Sequence, residues 1–318
     1  IRRPPRSTRK EASAASDVYK RQSQECSSYC RCKPSFSIMI RMLSIVLFVS
    51  EVFGQSSFPG LNSWTYGQTV GFAGGGYLIS TNNGFRNGAM LPDSTRYFKI
   101  NLVKYPAGIN GQSLLTNGKI NGHRVGLKIS RLNYGIFEGR DVNNKATGDY
   151  SAGDIHIQAM YAKPSNSGRF IVGINSGLFL SQVEHKNAKA VTFSPGIVFK
   201  SQIGTMGLML ENTGVVFNSY AETKEKLPSL IVASFKSKIP KTPLELEMDY
   251  IYPINTKTSI ITLSGLFHLR NGLMIKGGTS TKKSGQMTDV SFFNNLFADM
   301  GIGLSYEIED ILIDMNSY

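Results

Sequence analysis

Apolar and polar residues alternate along residues 147–182, and this pattern predicts a β-hairpin. A period of two residues gives a strand two different faces. Lys, Pro, Ser, Asn and Gly at positions 163–168 predict the turn. One face carries Ile155, Ile157, Ala159, Tyr161, Phe170, Val172, Ile174, Leu178 and Leu180, and the other carries Asp154, His156, Gln158, Met160, Gly173, Asn175, Gly177 and Ser181.

This hairpin fits two environments. In a membrane β-barrel, a strand of about 9–11 residues turns apolar side chains to lipid and polar ones to the lumen. In a soluble β-sandwich, strands alternate in the same way around a core. The hairpin by itself leaves both environments open.

The same alternation recurs along the chain from Arg96, with turn residues between the runs. About a dozen strands and no amphipathic helix are therefore expected. The runs place Phe98, Ile100 and Leu102 opposite Lys99 and Asn101; Val125, Leu127 and Ile129 opposite Lys128 and Ser130; Met206, Leu208 and Leu210 opposite Gly207 and Glu211; Leu244, Leu246, Met248, Tyr250 and Tyr252 opposite Glu245, Glu247 and Asp249; Ile261, Leu263, Phe267 and Leu269 opposite Thr262, Ser264 and His268; and Met300, Ile302, Leu304, Tyr306 and Ile308 opposite Gly301, Gly303, Ser305 and Glu307.

The number of strands favours the membrane environment. A sandwich of this size would leave edge strands open, whereas a closed barrel has no edges. In a bilayer, a closed barrel is the only all-β structure that satisfies every backbone polar group. We therefore predict that residues 94–318 form a transmembrane antiparallel β-barrel, with inner glycines that make room for lumen contents. The lumen-facing candidates are Asp154, His156, Asn175, Glu211, Glu245, Glu247, Asp249 and Glu307, with Lys99 and Lys128 available to pair across the interior.

The first residues of the chain do not share this alternation. Residues 1–38 show no apolar periodicity, and residues 1–22 resemble translated sequencing adapter, so we expect a non-native or disordered leader. A basic targeting or nucleic-acid-binding arm is the alternative. Cys26, Cys30 and Cys32 lie in this leader, and no later Cys completes a metal site or a disulfide framework.

Residues 39–54 have the pattern of a secretory signal peptide. Met39 or Met42 is the start, Arg41 is the positive n-region, and an apolar core and a small-residue cleavage site follow. The apolar run is far shorter than the about 20 residues that a membrane-spanning helix needs.

Residues 55–93 are rich in Gly, Ser and Asn and alternate poorly. They predict an irregular lead-in that packs inside or beneath the barrel as a plug. The glycines at 74–76 precede neither a Lys-Ser/Thr pair nor a helix pattern, so they do not predict a phosphate loop.

About half of the net basic charge of the chain lies before residue 55. The whole chain has a formal net charge of +13, but residues 55–318 carry 25 Lys and Arg against 18 Asp and Glu. Most of these basic residues lie in turns and are interpreted as solvated loop charge. Binding of lipopolysaccharide phosphates at the rim is the alternative, and no motif predicts nucleic-acid binding.

Catalytic chemistry has little support in the sequence. His123, His156, His185 and His268 lie in separate runs without a Glu-x-x-His or Cys partner, so no metal or other cofactor is expected. A barrel lipase would need a Ser–His pair, for which His156 with Ser151 and His268 with Ser264 are the candidates. The acidic stripe at 245–249 is interpreted as a ladder of like charges offset by basic neighbours, with an acid pair or a cation site as alternatives.

Five short motifs are spread over the chain from residue 148 onward: Gly148-Asp149-Tyr150-Ser151-Ala152-Gly153-Asp154, Asn212-Thr213-Gly214, Leu227-Pro228, Leu269-Arg270-Asn271-Gly272 and Leu312-Ile313-Asp314. With these motifs, most of residues 68–318 resembles the PorV/PorQ family of outer-membrane proteins, which belongs with the FadL-like fatty-acid transporters. The resemblance implies a barrel of about 14 strands with an N-terminal segment near the lumen.

The chain departs from this family in two places. Relatives often have Asn-Pro-Ala where this chain has Asn87-Gly88-Ala89. Relatives also end with a further strand and a terminal aromatic, whereas Asp314 interrupts the apolar series before Tyr318. We therefore expect that the C-terminal strand is missing from this chain.

The resemblance implies a non-enzymatic protein of the cell outer membrane in a Gram-negative organism, acting in type IX secretion or surface attachment. Its implied partners are outer-membrane lipid, lipopolysaccharide, and secreted proteins or components of the secretion machine. A FadL-like transporter of hydrophobic compounds is the first alternative, and a barrel lipase is the second.

Overall fold

The computed structural model describes residues 58–79, 86–93, 96–141, 143–220, 225–256, 258–282 and 298–318. The predicted leader at 1–38 and the predicted signal peptide at 39–54 lie outside the described residues. Within them the all-β prediction is confirmed, because fourteen strands form one antiparallel sheet and the helices are short.

The strands are consecutive along the chain, and nearly all pair with their sequence neighbours. Their bounds are β1 Phe98–Lys104, β2 Asn110–Ile120, β3 His123–Arg140, β4 Ala146–Pro164, β5 Phe170–Val183, β6 Lys186–Lys200, β7 Thr205–Glu211, β8 Thr213–Asn218, β9 Leu230–Lys238, β10 Leu244–Pro253, β11 Ile260–His268, β12 Leu273–Ser280, β13 Met300–Ile308 and β14 Ile311–Ser317. The hairpin expected at 147–182 is confirmed as β4 and β5, with Ile157 opposite Leu178.

Strands β7 and β8 share one position in the sheet. Both pair with β6, β7 along Gly196–Lys200 and β8 along Lys189–Phe193, and β9 pairs with β7. Asn212 separates them with a positive φ of 55°. The sheet therefore has thirteen positions across, and because neighbours are antiparallel, β1 and β14 run in the same direction.

The two ends of the sheet differ in their connections. At one end, called here the short-turn end, β2–β3, β4–β5, β6–β7, β9–β10, β11–β12 and β13–β14 are joined by two to five residues. At the other, the long-loop end, residues 219–229 join β8 to β9 and residues 281–299 join β12 to β13. Strand β1 begins at the short-turn end.

The two faces of the sheet have opposite chemistry. On β10, Met248 is 51% exposed, whereas Glu247 and Asp249 are 1% and 0% exposed. On the last strand, Asp314 lies on the enclosed face while Ile311, Ile313 and Met315 are exposed, so Asp314 does not interrupt the alternation of β14. The same split recurs on other strands, with exposed Leu127, Ile129, Ile155, Leu178, Phe193, Ile197, Leu208, Leu263, Ile275 and Leu304, and with buried Ser130, Gln158, Thr192, Ser194, Ser234, Thr262, Ser264, Lys276 and Ser305.

The enclosed face packs against the N-terminal segment, called here the plug and described over residues 58–79 and 86–93. The plug contains one α-helix, α1 (Gly67–Gly71), and short 3-10 helices at Pro59–Asn62 and Gly88–Met90. Helix α1 packs against β1, β12, β13 and β14, and Gly88–Met90 packs against β4, β5 and β6. None of the helices in the described residues has the length and the apolar composition of a membrane-spanning helix.

Four hydrophobic clusters among the described residues each join the plug to the strands. Each cluster contains at least one plug residue: Leu78 is in the first, Phe58 in the second, Phe72 in the third and Tyr77 in the fourth. Their strand partners include Leu115 and Val198, Phe179 and Ala190, Leu266 and Met274, and Met209 and Val232. The core of this protein is therefore the interface between the plug and the enclosed face.

Candidate functional site

Two carboxylates of β10 hold the plug by its backbone. Asp249 Oδ2 accepts the N–H of Gly76 at 3.0 Å, and Glu247 Oε1 accepts the N–H of Leu78 at 2.7 Å. The second oxygen of Glu247 accepts the N–H of Ile79. We call Glu247 and Asp249 the carboxylate latch. A buried N–H group that lost such an acceptor would cost about 1–3 kcal/mol, so the latch fixes the position of 76–79 against the enclosed face.

Hydroxyl groups complete the latch. Ser234 Oγ donates to Asp249 at 2.5 Å, and Thr262 Oγ1 donates to the same carboxylate at 3.0 Å. Basic neighbours were expected to offset the acidic stripe. Lys236 Nζ lies 3.2 Å from Glu245, and the buried guanidinium of Arg86 interacts electrostatically with Glu247 and Asp249. Charge and hydroxyl donors therefore both surround the latch.

A second group of contacts joins the plug to β7 through Arg86. Its guanidinium donates to the carbonyls of Gly74 and Gly75 at 2.5 and 3.1 Å and lies 3.6 Å from the centre of the Tyr77 ring. Tyr77 donates its hydroxyl to Glu211 Oε2 at 2.8 Å, and Arg86 forms an ion pair with the same carboxylate at 3.8 Å. Burial raises the pKa of the Tyr77 phenol well above its usual range, so this hydroxyl remains a donor.

Asp154 and His156 lie on the enclosed face of β4, away from the latch. Asp154 accepts hydrogen bonds from Tyr134, at 2.6 Å, and from Ser181. His156 Nε2 forms a hydrogen bond of 2.8 Å with Thr192 Oγ1. Both side chains are buried and bonded to strand residues. They are therefore placed to support the wall.

The remaining candidates have separate positions. Asn175 donates to the carbonyl of Arg86 at 2.9 Å and so contacts the plug. Glu245 also lies 3.6 Å from His268. Glu307 is exposed near the short-turn end of β13. Of the eight candidates, five contact the plug directly: Asn175, Glu211, Glu247, Asp249, and Asp154, whose carboxylate lies against Gly60.

Sequence reasoning missed a second buried ion cluster. Asp314 forms ion pairs with Lys276, at 2.5 Å, and with Lys99, at 3.5 Å, and it accepts from Ser305 Oγ at 3.0 Å. Lys276 was not recognised because its strand carries apolar residues on both faces, including buried Met274. The one sequence feature that could have indicated this cluster is Lys276 itself, a charged residue within the apolar run of β12.

Inner glycines were expected to make room for lumen contents, and this is confirmed. A Cβ at Gly278 would collide with the backbone of Phe72, and a Cβ at Gly301 would collide with the carbonyl oxygen of Val70. Gly173 and Gly196 lie in the same way against Ala89 and Asn87. Asn87 also accepts the N–H of Ala89 at 3.1 Å, which shows how the Asn87-Gly88-Ala89 variant of the plug turns.

Gly278→Ala should lower the free energy of unfolding by about 1–3 kcal/mol, because the added methyl overpacks the seat of the plug. Gly277→Ala is the matched control. Its Cβ would meet only the Gly301 carbonyl oxygen, at 4.0 Å. Urea unfolding of the two variants in detergent measures the difference. Equal midpoints for both variants would contradict the packing described for Phe72.

A cavity of about 170 Å³ lies between the plug and the strands. Lys128, Lys282 and Arg86 contribute positive charge to its lining, and Glu211 contributes a carboxylate that pairs with Arg86. Trp64, Leu230 and Ile251 contribute apolar surface. This combination suits a small anionic group attached to an apolar chain.

A larger cavity, of about 530 Å³, lies towards the long-loop end beside an irregularity in β3 between Asn133 and Gly135. Arg131, Asp154 and Lys189 are among its lining residues. Its polar lining is supplied by wall residues rather than by the plug.

The structure does not assemble the groups that the lipase alternative requires. Ser151 and His156 lie on opposite faces of β4, and His156 is bonded to Thr192. Ser264 Oγ forms no hydrogen bond with another described residue, and His268 lies beside Glu245. Among the described residues, no group of three or more His, Cys, Asp and Glu is arranged to hold a metal ion.

No family model matches the chain, and no curated protein is significantly similar to it.

Proposed function

We propose that this chain is a plugged outer-membrane β-barrel of the PorV/PorQ type that takes part in protein secretion or surface attachment without catalysis. The observation that carries the proposal is the inverted polarity of the sheet. Large apolar side chains cover its exposed face, while carboxylates, hydroxyls and Lys276 are buried on the enclosed face. Water would disfavour such an exposed face, whereas lipid matches it.

Aromatic residues support the membrane assignment at the short-turn end. Transmembrane barrels carry aromatic girdles at the level of the lipid head groups. Six strands of this sheet place an outward aromatic within a few residues of that end: Phe98, Tyr161, Phe170, Phe199, Phe267 and Tyr306.

The height of the apolar face also suits a bilayer. On β5, outward residues extend from Phe170 to Leu180, which is about 33 Å along the strand at about 3.3 Å per residue. A tilt of about 40° reduces this length to a height of roughly 25 Å. Apolar bands of outer-membrane barrels have about this height.

Orientation follows from the connections. Outer-membrane barrels have short periplasmic turns and longer extracellular loops, so the short-turn end is assigned to the periplasm. The plug then runs from Phe58 near the long-loop end to Leu91 near the short-turn end. A lumen filled in this way favours a structural or shuttle role over a permanently open pore.

The secretion proposal is tested in cells that carry the complete gene. Deleting the gene should abolish surface display of large secreted proteins, and a tagged copy should copurify with them or with the secretion machine. The chain itself should fractionate with the outer membrane. Normal surface display in the deletion strain would contradict the secretion proposal and leave the membrane assignment intact.

A FadL-like transporter of hydrophobic compounds is the second candidate, favoured by the cavity that Lys128 and Arg86 line. In this case, deletion should reduce uptake of a long-chain fatty acid while secretion remains normal. Lys128→Met should reproduce that loss. Unchanged uptake in both strains would contradict transport.

A further inference from the structure

The two edge strands of the sheet lie near each other without pairing. Lys99 of β1 and Asp314 of β14 form an ion pair of 3.5 Å, and α1 packs against both strands. Within the described part of the chain, no backbone ladder joins β1 to β14. Their facing N–H and C=O groups therefore border a gap, called here the seam.

The direction of the edge strands indicates what the seam accommodates. Because the sheet has thirteen positions, β1 and β14 run in the same direction. Direct pairing would be parallel in an otherwise antiparallel sheet. One strand placed between them would be antiparallel to both, and it would bring the number of positions to the even value usual for bacterial barrels.

Several apolar side chains bordering the seam are more exposed than most of those on the inner strands of the outward face. Leu102 on β1 and Met315 on β14 are 77% and 64% exposed. On inner strands, Ile155 and Leu208 are 39% and 44% exposed. The difference corresponds to surface that a neighbouring strand would cover.

Two polar atoms on the enclosed side of the seam lack partners in the described structure. Asn101 Nδ2, on β1, and Asn316 Oδ1, on β14, are buried and form no hydrogen bond. Asn101 Oδ1 and Asn316 Nδ2 lie beside Gly67 of α1, whereas Asn316 Oδ1 lies against Gly71 and against Gly303 of β13. An unsatisfied buried donor costs about 1–3 kcal/mol, so the Nδ2 of Asn101 is a place where a polar side chain would be stabilised.

The ion pair sets the spacing of the seam. Two strand separations amount to about 9.6 Å, and the long side chain of Lys99 allows it to reach Asp314 across such a gap. The inward residue of an inserted strand at this level must be small, since a large side chain would displace the pair. Its neighbours on the same face should be polar, to satisfy Asn101.

We propose that the seam is a binding site for one amphipathic β-strand of about 9–11 residues, running antiparallel to β1 and β14. The strand carries apolar residues outward, with an aromatic near Phe98 and Tyr306 at the short-turn end. It carries Gly, Ser or Asn inward. This inference rests on the proposed membrane barrel, and it adds the kind of partner that completes the wall.

The test uses the full chain in detergent micelles and a synthetic ten-residue peptide that alternates Val, Leu or Phe with Ser, Asn or Gly. Binding should slow amide hydrogen exchange in 98–104 and 311–317 by about ten-fold or more, because those edges gain ladder partners. The control peptide has the same residues shifted by one position, which exchanges its faces. Equal protection by both peptides, or none by either, would overturn the proposal.

A second measurement keeps the proposal testable if the free peptide aggregates. Cys26, Cys30 and Cys32 are replaced by serine, and Ile100→Cys and Met315→Cys are introduced on the outward face. A disulfide requires Cα atoms within about 7 Å, so a seam wide enough for a strand should give no cross-link. Rapid cross-linking would show direct pairing of β1 with β14 and overturn the proposal.

Two further results separate this inference from the membrane and secretion proposals. A stable dimer formed without peptide, with β1 and β14 protected, would assign the seam to a second copy of the chain and overturn the strand proposal. Insertion into vesicles with edges that stay unprotected after the peptide is added would remove the strand-binding site and leave the membrane assignment standing.

Discussion

Exchanging Glu247 for glutamine and Asp249 for asparagine in one variant should release the plug from the wall. Both amides keep the size of the carboxylate. In Glu247→Gln the NH₂ group replaces an oxygen that accepts the N–H of Leu78 or of Ile79. Asp249→Asn can keep its oxygen on the N–H of Gly76, but it loses the charge and turns its NH₂ group towards the Ser234 hydroxyl. We expect the free energy of plug attachment to fall by about 2–4 kcal/mol, after allowing for the smaller desolvation cost of neutral side chains. The released fraction should then rise by about 30-fold to 1,000-fold.

Trp64 makes this release measurable. It is the only Trp in the chain, and it lies in the plug against the Tyr318 ring at 4.9 Å. Release should increase acrylamide quenching of its fluorescence, accelerate hydrogen exchange in 70–79, and open conductance in planar bilayers. Glu245→Gln is the matched control, because Glu245 lies on the same strand and face but pairs with Lys236. Equal opening by the control would show that charge on β10, rather than the latch, holds the plug.

Met248→Arg should destabilise the membrane-inserted protein by about 2–4 kcal/mol if Met248 lies near the bilayer midplane. The side chain is half exposed on the outward face of β10, where the proposed barrel meets lipid. An arginine there has no water to solvate its charge. Reversible folding into phosphatidylcholine vesicles, followed by urea titration, measures the penalty.

Leu244→Arg provides the depth control for this substitution. Leu244 is the first residue of the same strand, at the short-turn end, and its side chain shares the outward face. Near the interface the cost of arginine falls to about 0–1 kcal/mol. A small penalty at Met248 together with a large one at Leu244 would place the membrane at the wrong depth, and small penalties at both would argue against lipid contact.

Much of the sheet was predictable from local pattern. The hairpin at 147–182 became β4 and β5, and the stripe of Leu244, Met248 and Tyr250 against Glu247 and Asp249 became the two faces of β10. Alternate residues of a strand face different surroundings, so apolar and polar residues alternate along its sequence. The same reasoning ranked Glu247 and Asp249 among the enclosed residues before their partners were known.

The contacts of the site were not predictable in this way. Glu247 meets the N–H of Leu78 across 169 residues of sequence, and the plug has no periodicity that marks which N–H groups will need acceptors. Arg86 and Tyr77 were overlooked for this reason, although together they hold Glu211. Like the latch, they act through a geometry that arises only when the plug is enclosed.

The amino-acid sequence by itself determined that the chain forms strands, which side of each strand is apolar, and where the turns fall, because these depend on neighbouring residues. Tertiary structure alone decided that β7 and β8 share a position and that Asp314 forms ion pairs with Lys99 and Lys276. It also decided that the core lies between the plug and the enclosed face. Those features depend on which groups, distant in sequence, form ion pairs, hydrogen bonds and packing contacts with one another. No local period carries that information.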